Sequence, residues 1–320
     1  MTVAAFQSQL ALPAIAAPMF LVSGTGLVTA TCKSGMAAAF PSLNGRTVQD
    51  FERMLLTVTT ELKAHETATG KAPAPFCVNL IVHKTNLRLQ ADLDLCVQYR
   101  VPVVITSLGA AKEVVDKVHA YGGLVFHDVI HKRHAQKAME AGVDGIIAVT
   151  AGAGGHAGTA NPFALVAEIR SFYEGLLLLA GAINTGADIA AALCMGADLA
   201  YMGTRFIATT ESLAPDAYKQ MLVNAQIDDI LYTDAVSGVH ANFLKPSLQA
   251  AGLDLSQEKQ EDFAVLARQE RKAWKDIWSA GQGTTGIHDI CDAATLVARL
   301  KAEYLEALSR QAERLRSFHT

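Results

Sequence analysis

The feature that most restricts how this chain can fold is a repetition. Between residue 13 and residue 204, eight short apolar runs are separated by stretches with helical spacing. Runs of four to eight apolar residues bounded by turn formers read as buried strands, and apolar residues at i, i+3 and i+4 read as one face of a helix. The predicted strands cover residues 13–20, 36–40, 76–82, 101–106, 124–129, 145–150, 176–180 and 199–202. Helices are predicted between them, over residues 23–32, 47–65, 87–99, 110–120, 132–141, 163–173 and 186–195. Thr47 and Asp50 form a capping-box pattern, with Asp standing where Glu is usual. Strands separated by helices have no room for hairpins and run parallel, so eight regular units imply a closed (β/α)8 TIM-type barrel. The runner-up is a doubly wound open sheet, but no G-x-G-x-x-G follows the first strand.

Beyond Glu211 the alternation stops. Residues 215–225 read as a helix and 228–231 as a short turn or helix, while 235–252 carries Gly238, Pro246 and Gly252 with no clear period. A long charged helix is predicted over 258–274 and a closing helix over 293–316. The expected organisation is a barrel built from residues 1–213 and 284–320, with 214–283 as an appended helical lid over its mouth. At 51% apolar and 18% charged residues, the chain of 320 can bury a large core and is too apolar for disorder. A formal net charge of -4 with no basic run argues against nucleic acid or an anionic membrane surface, and favours a small-molecule partner. The five cysteines, Cys32, Cys77, Cys96, Cys194 and Cys291, are scattered and form no C-x-x-C pair, as in a reduced cytoplasmic protein. No Lys or Arg precedes Lys33, so the apolar stretch 10–22 lacks the basic region of a signal peptide, and no run reaches the ~18 residues that span a bilayer.

The stretch Ala151-Gly152-Ala153-Gly154-Gly155-His156-Ala157-Gly158 follows the sixth strand, at the strand end where barrels keep their chemistry. Its glycines let a flat ligand approach the backbone and leave His156 as the titratable group, which makes His156 the candidate catalytic residue. The plainer alternative is a flexible glycine loop with an incidental histidine. Barrels often hold a phosphate with the loops after strands seven and eight. Here those strands end in Gly181-Ala182-Ile183-Asn184-Thr185-Gly186 and in Gly203-Thr204, which expose backbone donors and one hydroxyl. Tight turning alone would also explain either loop.

These residues resemble the nitronate monooxygenase family of FMN-dependent oxidoreductases, also called 2-nitropropane dioxygenases. Its relatives include a flavin enoyl-acyl-carrier-protein reductase and an NADH:quinone reductase. The matching pieces are Ala17-Pro18-Met19, Pro75-Phe76-Cys77-Val78-Asn79-Leu80, Ala153 to Gly158, Gly181, Met202-Gly203-Thr204-Arg205-Phe206 and Ser279-Ala280-Gly281-Gln282-Gly283. The resemblance implies an isoalloxazine ring surrounded by Ala17, Pro18, Met19, Phe20, Asn79 and Gly155 to Gly158, with Gln282 and His127 near it. It implies an FMN phosphate at Gly181, Ala182, Gly203 and Thr204. It further implies oxidation of an alkyl nitronate, with dioxygen as co-substrate, to a carbonyl compound and nitrite, in a protein that can form a homodimer. His156 would deprotonate a neutral nitroalkane or orient the nitronate. Gly152 and Ala153 stand where the family often has an acidic residue, Ala182 where it has a second glycine, and Ala16 where it has glutamine. Those departures touch the substrate more than the cofactor. An NAD(P)H-dependent reductase of quinones or enoyl thioesters stays open as an alternative, as does a non-flavin barrel acting on a phosphorylated metabolite. His127, Asp128, His131 and His134 are spaced so that a metal is conceivable, but no further ligand is evident and no metal is expected.

Overall fold

The computed structural model describes residues 1–109, 112–236, 238–252 and 277–318. Eight parallel strands close into a barrel: β1 (Ala14–Ala16), β2 (Ala37–Pro41), β3 (Phe76–Ile81), β4 (Val103–Ser107), β5 (Leu124–Val129), β6 (Gly145–Val149), β8 (Leu176–Ala180) and β9 (Leu199–Met202). Closure is the pairing of β9 back onto β1, with Ile15 opposite Tyr201 and Ala16 opposite Met202. The expected barrel is therefore the observed one, and its strand positions follow the sequence pattern closely. The first strand is the exception, because after Ala16 the chain turns off the barrel wall.

Alternation along each strand sorts side chains into two apolar layers. Ile15, Cys77, Ile105, Phe126, Ile147, Leu178 and Tyr201 fill the barrel, whereas Ala16, Val78, Val104, Val125, Ile146 and Leu179 face the helices. The bottom is plugged by Phe6 of α1 (Val3–Ser8), whose ring meets Phe126 edge-on at 5.5 Å. Burying that ring stabilises by roughly 2–3 kcal/mol. This short helix has too few residues for its period to be read from sequence.

The outer ring comprises α2 (Thr25–Lys33), α3 (Val48–Thr69), α4 (Leu89–Gln98), α5 (Lys112–Ala120), α6 (Lys132–Ala141), α7 (Pro162–Arg170), α8 (Gly186–Cys194) and α12 (Ala293–Ser317). The Thr47–Asp50 capping box forms as the sequence implies, with Asp50 N donating to Thr47 Oγ1 at 3.0 Å. Helix α12 packs against α8 and α2 and so completes the ring. Gly186 permits that approach, since a Cβ there would lie 2.2 Å from Leu300 O.

Between β9 and α12 the chain makes α9 (Thr204–Ile207), α10 (Asp216–Asn224), β10 (Ile230–Thr233), β11 (Ala241–Leu244) and α11 (Lys245–Ala250). The extension is thus partly sheet where only helices and turns were expected. The hairpin β10–β11 takes a third strand from the barrel side, β7 (Gly155–His156), with Ala241 opposite His156. Four-residue strands are too short to display alternation, and β11 is buried on both faces, which erases it altogether. The predicted helix over 258–274, with Trp274, lies outside the described residues. Among the described residues no helix is long and apolar enough to cross a membrane.

Candidate active site

Four loops meet at the carboxyl ends of the strands, and backbone hydrogen bonds hold them in register. Gly152 O accepts from Ala182 N at 3.1 Å and from Gln282 N at 3.0 Å. Gly281 N donates to Thr204 Oγ1 at 2.9 Å. The loops after β6, β8 and β9 and the segment 279–283 therefore form one assembly. Two glycines make it possible. A Cβ on Gly281 would lie 2.5 Å from Gly152 O, and one on Gly181 would lie 2.2 Å from Thr150 Oγ1.

The loop after β1 borders the same opening. Asn44, beyond β2, clamps it: its Nδ2 donates to Met19 O and Ser23 O, and its Oδ1 accepts from Leu21 N. Leu21 is held at φ 61°, a left-handed conformation that a non-glycine residue adopts only when its surroundings enforce it. The clamp brings Ala17 and Met19 beside Gly203. A Cβ on Gly203 would make only ordinary contact, with Met19 Sδ at 3.7 Å and Ala17 Cβ at 3.9 Å, so this half-exposed glycine is not tightly packed over. Gly155 is more open, with only Ser279 Oγ within reach at 4.0 Å, and its φ of +70° suits glycine.

His156 is carried on β7, fastened to the extension by its pairing with Ala241. Two side chains of the extension brace this loop: Asn242 Nδ2 donates to Ala151 O and Ala153 O, and Tyr232 OH donates to Ala157 O. The imidazole is accessible yet has protein on several sides, and that partial desolvation lowers its pKa below 6.5. It is therefore mainly neutral at pH 7, as a proton acceptor must be.

Inside the mouth, the inward face of β3, β4 and β5 carries a polar chain. Asn79 Nδ2 donates to Ser107 Oγ at 2.8 Å, and Ser107 Oγ donates to Asp128 Oδ2. Asp128 Oδ1 and the hydroxyl of Tyr201 on β9 are buried without a hydrogen-bond partner among the described residues. Burial pushes the Asp128 carboxyl up to about 6.

The structure brings together Ala17, Met19, Gly203, Thr204, Gly181, Gly155 and the backbone of Gln282. It corrects the expectation for His127. That ring belongs to the outward face of β5 with Val125 and Val129, and its Nδ1 lies 2.8 Å from Thr106 Oγ1. Enclosed between wall and helix, its pKa falls to about 4, and its neighbour Asp128 faces the mouth instead. The Ala182 amide is bonded to Gly152 O of the loop after β6 and is not available to an anion, while Gly158 answers to crowding, with Val149 O 2.9 Å from its missing Cβ. His131 and His134 serve α6, His131 as its N-cap. Asn44, Ser107, Asp128, Tyr201 and Asn242 were not expected to shape the site. Strand parity would have pointed to Asp128, but every residue of β5 except Asp128 is buried, so no amphipathic pattern marks which face is which.

A family model described as nitronate monooxygenase matches residues 75–303, from the third strand to the last helix. The chain belongs to the nitronate monooxygenase family. Among curated proteins it is 28% identical over 239 residues to (3aS,4S,5R,7aS)-5-hydroxy-7a-methyl-1-oxo-octahydro-1H-indene-4-carboxyl-CoA dehydrogenase of Mycobacterium tuberculosis, covering 74% of this chain and 64% of that one. It is 29% identical over 220 residues to a nitronate monooxygenase of Paraburkholderia phytofirmans, covering 64% of this chain and 60% of that one. The match spans less than two thirds of these relatives' own length. Among solved structures, nitroalkane oxidase from Streptomyces ansochromogenes superposes with a TM-score of 0.81 at 26% identity, over 96% of this chain and 99% of that one. FabK from Thermotoga maritima gives 0.81 at 23% identity, over 99% and 98%, a likeness of fold alone. The superposition on nitroalkane oxidase takes in 96% of this chain, and the family model takes in Asn79, His156, Gly181, Thr204 and Gln282.

Proposed function

We propose that this member of the nitronate monooxygenase family is an FMN-dependent oxidoreductase that oxidises alkyl nitronates with dioxygen to a carbonyl compound and nitrite. The observation that carries the reading is the meeting of four loops at the strand ends, where half-exposed Gly203 lies beside Ala17 and Met19 and His156 sits on an adjoining loop. A flat group with a phosphate tail fits such a place. Gly203 leaves backbone exposed, the first amides of α9 precede any intrahelical acceptor, and Thr204 keeps its hydroxyl proton to donate while its oxygen accepts from Gly281. Gly181 lines the neighbouring loop. Asn79 and Tyr201 supply polar atoms below, the Tyr201 hydroxyl having no hydrogen-bond partner among the described residues.

When bound, FMN would supply the electron transfer from substrate to dioxygen that no side chain can perform. The chain's own residues bind, orient and move protons. His156, neutral at pH 7, accepts the proton of a nitroalkane carbon or, once protonated, donates a hydrogen bond to a nitronate oxygen. Gly155, open at its Cβ position, lets the substrate reach the imidazole without steric penalty. The described part of the extension, with β10 and β11 paired onto β7, acts as the wall that holds the His156 loop and restricts water.

The test is optical and chemical. The purified protein reconstituted with FMN should show bound-flavin absorbance, bleach anaerobically with ethylnitronate, and release nitrite in air. Bleaching by NADH without response to nitronate would instead indicate a pyridine-nucleotide-dependent reductase, and failure to bind any flavin would refute the proposal.

A further inference from the structure

The hydrogen-bonded chain beneath the mouth has a direction, and that direction has a chemical consequence. Asn79 Nδ2 uses both its protons, one on Ile105 O at 3.2 Å and one on Ser107 Oγ at 2.8 Å. Ser107 has a single hydroxyl proton, and it goes to Asp128 Oδ2. A carboxylate can only accept, so an ionised Asp128 obliges Ser107 to donate toward it and leaves the serine oxygen to accept from Asn79. The one hydrogen-bonding atom the Asn79 amide then retains for a ligand is Oδ1, an acceptor.

We propose that Asp128 is a positioning residue that acts through Ser107 to fix the polarity of the Asn79 amide, so that the mouth presents an acceptor and selects a ligand edge bearing an N–H or O–H donor. The inference rests on the reading of a ligand lying across the mouth. The groups that face Asp128 are Ser107 on β4 and Tyr201 on β9, with Asn79 on β3 bonded to Ser107 and Cys77 on β3 beside Tyr201. Burial alone raises its pKa, with no cation among the described residues opposing it. On protonation Asp128 becomes a donor, Ser107 can turn its proton toward Asn79, and the amide must rotate to accept it and give up Ile105 O. The ligand then meets a donor where it needs an acceptor.

The test combines two readouts on the full chain. FMN affinity is measured by flavin fluorescence quenching from pH 5 to pH 8 in the wild type, Asp128→Asn and Ser107→Ala. The FMN phosphate titrates in the same range, so the informative quantity is the difference between variants. Asp128→Asn keeps an acceptor oxygen for Ser107 but cannot titrate. It should match the wild type at pH 8 and bind about three- to tenfold more tightly than the wild type at pH 5, the range of one hydrogen bond. Ser107→Ala should bind about three- to tenfold more weakly than the wild type at pH 8. In the second readout, the Asn79 side-chain amide signals of 15N-asparagine-labelled protein, assigned with Asn79→Ala, should move with a midpoint near 6 in the wild type and stay fixed in both other variants. Signals that ignore pH in the wild type, or an Asp128→Asn profile identical to the wild type, would overturn the proposal. A protein that binds no FMN would refute the flavin reading and leave the amide signals to decide this one. Should Asp128→Asn fail to fold, Ser107→Ala carries both readouts.

Discussion

The amide of Gly281 donates to the hydroxyl oxygen of Thr204 at 2.9 Å, across a sequence separation of 77 residues. Thr204 opens α9, two residues past the last barrel strand, and Gly281 belongs to the segment that returns from the extension. This bond therefore couples the loop at Gly203 to the outer wall of the site, and its atoms are removed from water.

Thr204→Val keeps the shape and removes the oxygen. The buried Gly281 amide would then lack its partner, costing about 1–3 kcal/mol. Thermal melting should show the loss, and FMN should recover less of it than in the wild type. Thr204→Ser retains the oxygen and should melt close to the wild type.

Glycines in this site fall into two kinds, which substitution separates. In Gly281→Ala the new Cβ lies 2.5 Å from Gly152 O and 3.0 Å from Gly154 N, both backbone, so the assembly of loops has to part. We expect a loss above about 2 kcal/mol, the level at which overpacking against fixed neighbours is felt, together with faster proteolysis of 279–283. Gly155→Ala meets open space but keeps φ +70°, so its cost should stay near 1 kcal/mol. Equal losses in the two variants would contradict the packing described.

His156→Asn tests the proton chemistry. It should fold, bind FMN and lose roughly 100-fold in turnover of neutral nitroalkanes, as expected for lost general-base catalysis. Because burial lowers the imidazole pKa, the base form persists below pH 6.5, and the acid limb of kcat/KM should have its midpoint under that value. Activity moves in step with deprotonation, so it rises with pH. An acid limb above 6.5 would mean that another group is titrating.

How much of this was readable beforehand depends on burial pattern. The barrel was legible because its strands are short apolar runs punctuated by turn residues, and β5, β8 and β9 fall on the residues expected of them. The glycine loop and the β8 and β9 ends were legible because a glycine needed for close approach is visible as a letter. The face of a fully buried strand is not visible in that way. His127 and Asp128 are adjacent letters, and only the register of β5 against β4 assigns one to the wall and the other to the mouth. Nor does anything in the aperiodic stretch 235–252 announce that Asn242 would brace Ala151 and Ala153. That relation exists only once the extension folds back.

These two neighbours on β5 have opposite linkage to pH, which yields the last prediction. Asp128 is raised from 3.8 to about 6 in the folded protein, so between those values the native state holds a proton that the unfolded chain has lost. Its contribution is fully present below pH 3.8 and disappears as pH rises through 6. His127 is lowered from 6.5 to about 4, so over nearly the same window the unfolded chain holds a proton that the native state lacks. Its contribution is present above pH 6.5 and disappears as pH falls toward 4. Each slope reaches about 1.4 kcal/mol per pH unit, and with opposite signs they largely cancel from pH 4 to 6. The wild type should therefore show little change in stability from this pair across that range. Asp128→Asn removes one slope: the variant should gain up to about 3 kcal/mol relative to the wild type at pH 7 and lose that advantage as pH approaches 4. Urea denaturation at intervals between pH 4 and pH 7.5 would measure it, and a variant that tracks the wild type in parallel would show that Asp128 does not titrate in this window.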